Sequence, residues 1–96
     1  MSTSYEAAGA PPPTYADIEQ WLRSALAELL NVRSDEVDIK TRFARFGVDS
    51  ASALIITDML SEWLGLELDS TLLYEYETIE QLARHLAPQV AAKGSP

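Results

Sequence analysis

The sequence predicts an all-α fold: a small bundle of three longer helices and one short one, with a long first loop. Two observations carry this. Apolar residues recur at helical spacing in three separate segments, and each segment is preceded by a residue pattern that caps a helix start. No pair of alternating segments that would form a strand hairpin is present, and no stretch repeats another.

Residues 1–13 are rich in Ser, Ala, Gly and Pro and end in Pro11-Pro12-Pro13. With no apolar period, they read as a flexible lead. At Thr14 the character changes. Thr14 with Asp17 three positions on resembles a capping box, and Tyr15, Ile18, Leu22, Ala25, Leu26 and Leu29 then share one helical face. This first helix is expected to end near Leu30, with Asn31 as a left-handed cap.

From Asn31 to Asp49 the pattern is neither helical nor alternating. A loop this long is uncommon in so small a domain unless it is functional or pinned. Val32, Val37, Ile39, Phe43, Phe46 and Val48 suggest pinning, with Phe43 and Phe46 as anchors and a short helical turn opened by Ser34. The second helix spans Ser50 to Leu64, capped by Asp49 and stopped by Gly65. At about 100° per residue, Ala53, Ile56, Met59, Leu60, Trp63 and Leu64 fall on its apolar face, with Ser50, Thr57, Asp58, Ser61 and Glu62 opposite.

Leu66 to Leu68 reads as extended. Asp69 or Ser70 then caps a brief helical turn through Tyr74. Thr78 and Gln81 form a second capping box, and Ile79, Leu82, Ala83 and Leu86 make the stripe of a last helix that Pro88 is expected to end. The domain is therefore placed at residues 14–88, with 89–96 a flexible tail that adds nothing to the core.

The composition excludes several functions. The 96 residues carry 15 acidic and seven basic side chains, a net charge of −8, which repels nucleic acid and anionic membrane and favours basic protein surfaces. No apolar run approaches the length of a membrane span. With no cysteine and a single histidine, His85, no metal site is expected, and the absence of thiols fits a cytoplasmic setting. A core this small cannot enclose a large catalytic cavity, so function is expected at the surface.

The chemistry points to Phe46-Gly47-Val48-Asp49-Ser50. The glycine turn feeds a helix start where Ser50 stands on the exposed side, beside free backbone N–H groups that favour an attached anion. Serine needs a base to act as a nucleophile, and none lies near Ser50 in sequence. His85 sits on the flank of the last helix's stripe, where a structural role is the ordinary one. Ser50 therefore reads as a modified residue rather than a catalyst.

This motif, together with Trp63-Leu64-Gly65 and the block from Leu72 to Ile79, resembles the acyl carrier proteins of the polyketide or fatty-acid type. The similarity covers Tyr15 to about Leu86 and includes Asp38 and Phe43. It implies a monomeric four-helix carrier without catalytic activity. It also implies that Ser50 accepts 4′-phosphopantetheine from coenzyme A through a magnesium-dependent phosphopantetheinyl transferase, which recognises Asp49. Partner enzymes would then dock on the Ser50 face, at Ala51, Leu54, Ile55, Asp58 and Glu62.

The sequence departs from the family at Ala51 and Ile55, where leucine and glutamate are common, which makes the docking face more apolar and points to a dedicated partner. Glu77, where the family often has proline, is a smaller departure. The whole is most similar to carriers loaded by fatty acyl-AMP ligases that prime polyketide or lipopeptide assembly. Two rivals stand beside this reading. A peptidyl carrier would usually show a second glycine in the motif; an acidic helical adaptor, binding protein through Leu54 and Ile55, would not need Ser50.

Overall fold

A computed structural model of the protein describes residues 12–94. Most of the expected lead, residues 1–11, and the last two positions of the expected tail lie outside them. Among the described residues there are four α-helices: α1 (Tyr15–Leu30), α2 (Ser50–Leu64), α3 (Leu72–Glu75) and α4 (Ile79–Gly94). The only extended pairing among them is an isolated bridge between Arg42 and Thr78.

α1 begins as predicted. Thr14 Oγ1 accepts the Asp17 N–H at 3.3 Å, and the Asp17 carboxylate accepts the Thr14 N–H at 2.9 Å. It ends at Asn31, whose φ of 58° turns the chain so that the N–H groups of Val32 and Asn31 close on the carbonyls of Ala27 and Glu28, a Schellman motif. Ile18, Leu22 and Leu26 are buried, and α1 packs against α4.

Leu29 departs from the expectation: it is 46% exposed, whereas Ala27, on the opposite side of the wheel, is buried. The chain folds back beyond Asn31, the Val32 N–H closing on the Ala27 carbonyl, and a 3₁₀ turn (Ser34–Glu36) packs against α1. At the other end, Pro13 is buried beside Trp21 rather than belonging to a free lead.

The long loop is pinned, and the pins are backbone as well as side chain. Val37 and Phe43 are buried, while Ile39, Phe46 and Val48 pack partly against the core. The Phe43 N–H donates to the Glu77 carbonyl at 2.8 Å, and the Glu80 N–H donates to the Ile39 carbonyl at 3.1 Å. A second 3₁₀ turn (Phe43–Phe46), absent from the sequence expectation, ends at Gly47 with φ 81°. A Cβ there would meet nothing within 4 Å, so the glycine answers to backbone conformation rather than to space.

The buried face of α2 is Ala53, Ile56, Thr57, Leu60 and Leu64. Relative to the predicted face it is rotated toward Ser50. Met59 is 52% exposed and Trp63 only half-buried, while Thr57, expected outside, is 1% exposed. Thr57 is tolerated inside because its hydroxyl donates to the Ala53 carbonyl at 2.7 Å, leaving only its methyl to pack. Gly65, with φ 67°, closes the helix as predicted.

In α3 the buried pair Leu72 and Leu73 anchors a single turn, and Asp69 Oδ1 accepts both the N–H and the hydroxyl of Thr71 ahead of it. The second capping box is displaced by one residue: the Gln81 N–H bonds Thr78 Oγ1, but the Gln81 side chain accepts from Glu77 N–H instead of Thr78 N–H.

α4 does not end at Pro88. It continues to Gly94, and Val90 is fully buried. Ile79, Leu82, Ala83, Leu86 and Val90 extend one stripe over the whole helix, each large apolar side chain contributing about 1.5–3 kcal/mol. That burial outweighs the hydrogen bond the proline removes, since Pro88 itself faces solvent.

Candidate functional site

The site lies where the pinned loop delivers the chain to α2. Gly47 and Val48 are held by N–H bonds to the carbonyls of Ala44 and Phe43, and Asp49 follows in extended backbone as the N-cap. Its carboxylate accepts the Ser52 N–H at 2.9 Å. That bond, first among several with the helix-start backbone and the Ser52 side chain, lowers the Asp49 pKa below the ordinary aspartate value. At neutral pH Asp49 is therefore a carboxylate, fixed beside Ser50.

Ser50 is exposed at the first position of α2, and its Oγ lies 2.9 Å from the phenolic oxygen of Tyr74 on α3. Either hydroxyl can donate in this pair. Between two solvent-exposed groups such a bond contributes at most about 0.5–1.5 kcal/mol. A small cleft of about 70 Å³ opens beside the pair, lined by Val48, Ala53, Leu73 and Tyr74 with Arg42 and Glu77 among its polar residues.

Hydrolytic chemistry finds no support in this geometry. The ring of His85 stacks on Tyr76 with centroids 4.0 Å apart, and its Nε2 lies 2.9 Å from the Gln89 amide nitrogen. The hydroxyl partner of Ser50 is the Tyr74 phenol, and among the described residues no histidine or carboxylate bonds to its Oγ. Among the described residues no cluster of His, Asp or Glu could hold a metal ion, and no helix is long and apolar enough to cross a membrane. What the arrangement does offer is an accessible hydroxyl at the electropositive end of a helix, with room for a bulky anionic adduct.

Ala51, Leu54, Ile55, Asp58 and Glu62 are all exposed, as the wheel predicts, with Leu54 at 47% and Ile55 at 57%. At about 100° per residue they share one arc of α2, with Ile55 at its edge. Ile55 turns toward α1, where it lines a groove with Met59, Leu29, Ala25 and Ser52, with Glu28 as the carboxylate in its lining. Leu29 and Met59 are missed by the sequence reading because the wheel assigns both to the core. Tyr74 is missed as a site residue because it lies 24 positions from Ser50, and only the placement of α3 brings the two together.

Comparison with known proteins gives the same reading from another direction. Residues 20–86 match the phosphopantetheine attachment site family. The chain is 37% identical over 73 residues to the polyketide synthase PksM of Bacillus subtilis, covering 76% of this chain but only 2% of that protein. It is 30% identical to the acyl carrier protein TtuC of Teredinibacter turnerae, covering 80% of this chain and 88% of that one. The fold superposes with a TM-score of 0.77 on the solution structure of Asl1650, an acyl carrier protein from Anabaena, at 37% identity over 82% of this chain and 90% of the other. The exposed hydroxyl at a helix start and these similarities agree: the chain belongs to the phosphopantetheine-binding carrier proteins, which bear their cargo on a covalently attached arm and perform no chemistry of their own.

Proposed function

We propose that Ser50 is the attachment residue and that the arm carries an acyl group, a fatty acyl starter loaded by a fatty acyl-AMP ligase, into polyketide or lipopeptide assembly. The observation that carries the first part is the exposed Ser50 hydroxyl at the start of α2, inside the matched span and beside the Asp49 carboxylate. In the transfer, Ser50 Oγ attacks the phosphorus of coenzyme A that bears the pantetheine. An Oγ–P bond forms, the bridging P–O bond of the pyrophosphate breaks, adenosine 3′,5′-bisphosphate leaves, and the serine proton passes to a base of the transferase. Once bound, the prosthetic group supplies a thiol for thioester linkage. The new phosphodiester meets the positive end of α2, worth about 0.3–1 kcal/mol at an exposed site.

Asp49 serves both as cap and as the acid the transferase reads. Leu54 and Ile55, flanked by Asp58 and Glu62, form the docking face for enzymes with an apolar patch and basic rim. The ligase assignment rests on similarity to carriers of that type and on the apolar substitutions at Ala51 and Ile55. With no cysteine in the chain, we place the protein in the cytoplasm.

Intact mass after incubation with coenzyme A, magnesium and a broad-range phosphopantetheinyl transferase tests the attachment. The wild type gains one phosphopantetheine and Ser50→Ala gains none; equal gain in both overturns the assignment. Loading the product with a candidate ligase, ATP and fatty acids tests the cargo. If its native partners load only malonyl or aminoacyl groups, the fatty acyl reading fails.

A further inference from the structure

We infer that Tyr74 is a positioning residue for the prosthetic arm: its hydroxyl holds the phosphodiester on Ser50 and sets the side of the bundle along which the arm leaves. The inference rests on Ser50 as the attachment residue and goes beyond it. Tyr74 is 57% exposed, yet its backbone is not free. It belongs to a turn fixed by the buried Leu72 and Leu73 and by the Asp69 contacts to Thr71, with the Tyr76 N–H closing on the Leu72 carbonyl. From that fixed base the phenol reaches Ser50 Oγ at 2.9 Å.

Two hydroxyls in contact with water gain little stability from each other. The effect of the contact is therefore on direction. Before modification either oxygen can donate. Esterification removes the serine proton, so the phenol becomes the one donor of the pair. Phosphorus is bonded directly to Oγ, which puts its unesterified oxygens two bonds from the atom that Tyr74 already touches. Because those oxygens are anionic, the bond to them is charge-assisted and stronger than the one it replaces. The same pull acts from the start of α2, so the two donors converge.

The result is a division of sides. The first bonds of the arm run toward α3, past the cleft that Tyr74 lines with Leu73 and Val48. The groove of Ile55, Met59 and Leu29, toward α1, is left clear. A hydroxyl suits this task on an acidic protein, since it donates without adding charge to the face that partners read.

The test uses the modified wild type, Tyr74→Phe and Tyr74→Ala, each shown by intact mass to carry one arm and by circular dichroism to keep its helices. The ³¹P resonance of the phosphodiester and the relaxation of the arm's amide protons are then compared. Both variants should move the ³¹P resonance toward that of a small-molecule pantetheine phosphodiester and give the arm faster motion. Coincidence of Tyr74→Phe with the wild type overturns the inference. So does a shift seen only in Tyr74→Ala, which would assign the effect to the ring instead of the hydroxyl. Failure of the wild type to gain an arm is a separate result that overturns the attachment reading itself, and this inference with it.

Discussion

The indole rings of Trp21 on α1 and Trp63 on α2 stack with centroids 5.5 Å apart and planes within 10° of parallel. Each is only half-buried, so the pair closes an edge of the bundle rather than filling its centre. Full burial of Trp63 would make Trp63→Ala cost about 3–5 kcal/mol; at the observed exposure about 1–3 kcal/mol is expected. A double-mutant cycle with Trp21→Ala, read by urea denaturation, should return a coupling of about 0.5–1.5 kcal/mol. No coupling would mean the rings pack independently.

Asp49 combines two tasks that substitution separates. Asparagine caps a helix as well as aspartate does, so Asp49→Asn should keep wild-type stability while slowing phosphopantetheine transfer; Asp49→Ala should also lose stability, read as a lower melting temperature. The pH dependence follows in sign. The folded-state pKa is lowered, so the unfolded chain binds the proton more readily and the contribution is fully present above the ordinary aspartate range. It is lost as pH falls through the lowered folded value, and acid titration of Asp49→Asn should lack that part of the loss. A wild-type transfer rate in Asp49→Asn would leave the carboxylate with capping alone.

Leu54 and Ile55 are exposed apolar side chains on a helix whose core lies elsewhere. Leu54→Glu and Ile55→Glu should therefore leave helix content and melting temperature nearly unchanged. Acyl transfer to or from a partner enzyme should fall about tenfold if either is an anchor of the interface. Loss of the fold would place the residue in the core, against its observed exposure.

Beyond Pro88 the last helix can be tested from both directions. Val90→Ala should cost about 1–3 kcal/mol, because the side chain is fully buried. Pro88→Ala should stabilise by about 1–3 kcal/mol, restoring an N–H to the helix ladder at an exposed position. A neutral Val90→Ala would mean that the end of α4 adds nothing to the bundle.

The helix starts and stops were legible in the sequence because caps are local. Thr14, Asn31, Asp49 and Gly65 act through neighbours a few positions away, and all behave as read. The exposed position of Ser50 at a helix start was legible for the same reason. What failed depended on the partner of a helix rather than on the helix. The face of α2 is rotated because Thr57 satisfies its own hydroxyl and so competes for the inside. Leu29 is exposed in the last turn of α1, where it lines the groove with Ile55 and Met59 instead of entering the core. Pro88 misled because local helix-breaking chemistry was outweighed by burial of Val90. Tyr74 had no local signal at all.

The bonds from Phe43 to Glu77 and from Glu80 to Ile39, with that between Ser50 and Tyr74, all join the middle of the chain to its last third. They impose an order in time. A ribosome makes Ser50 well before it makes Tyr74, Glu77 or Glu80, so the emerging serine has no frame to hold it. The proposed attachment point should therefore mature only once α4 has docked, and a nascent chain stalled before Tyr74 should be a poorer acceptor than one made through α4.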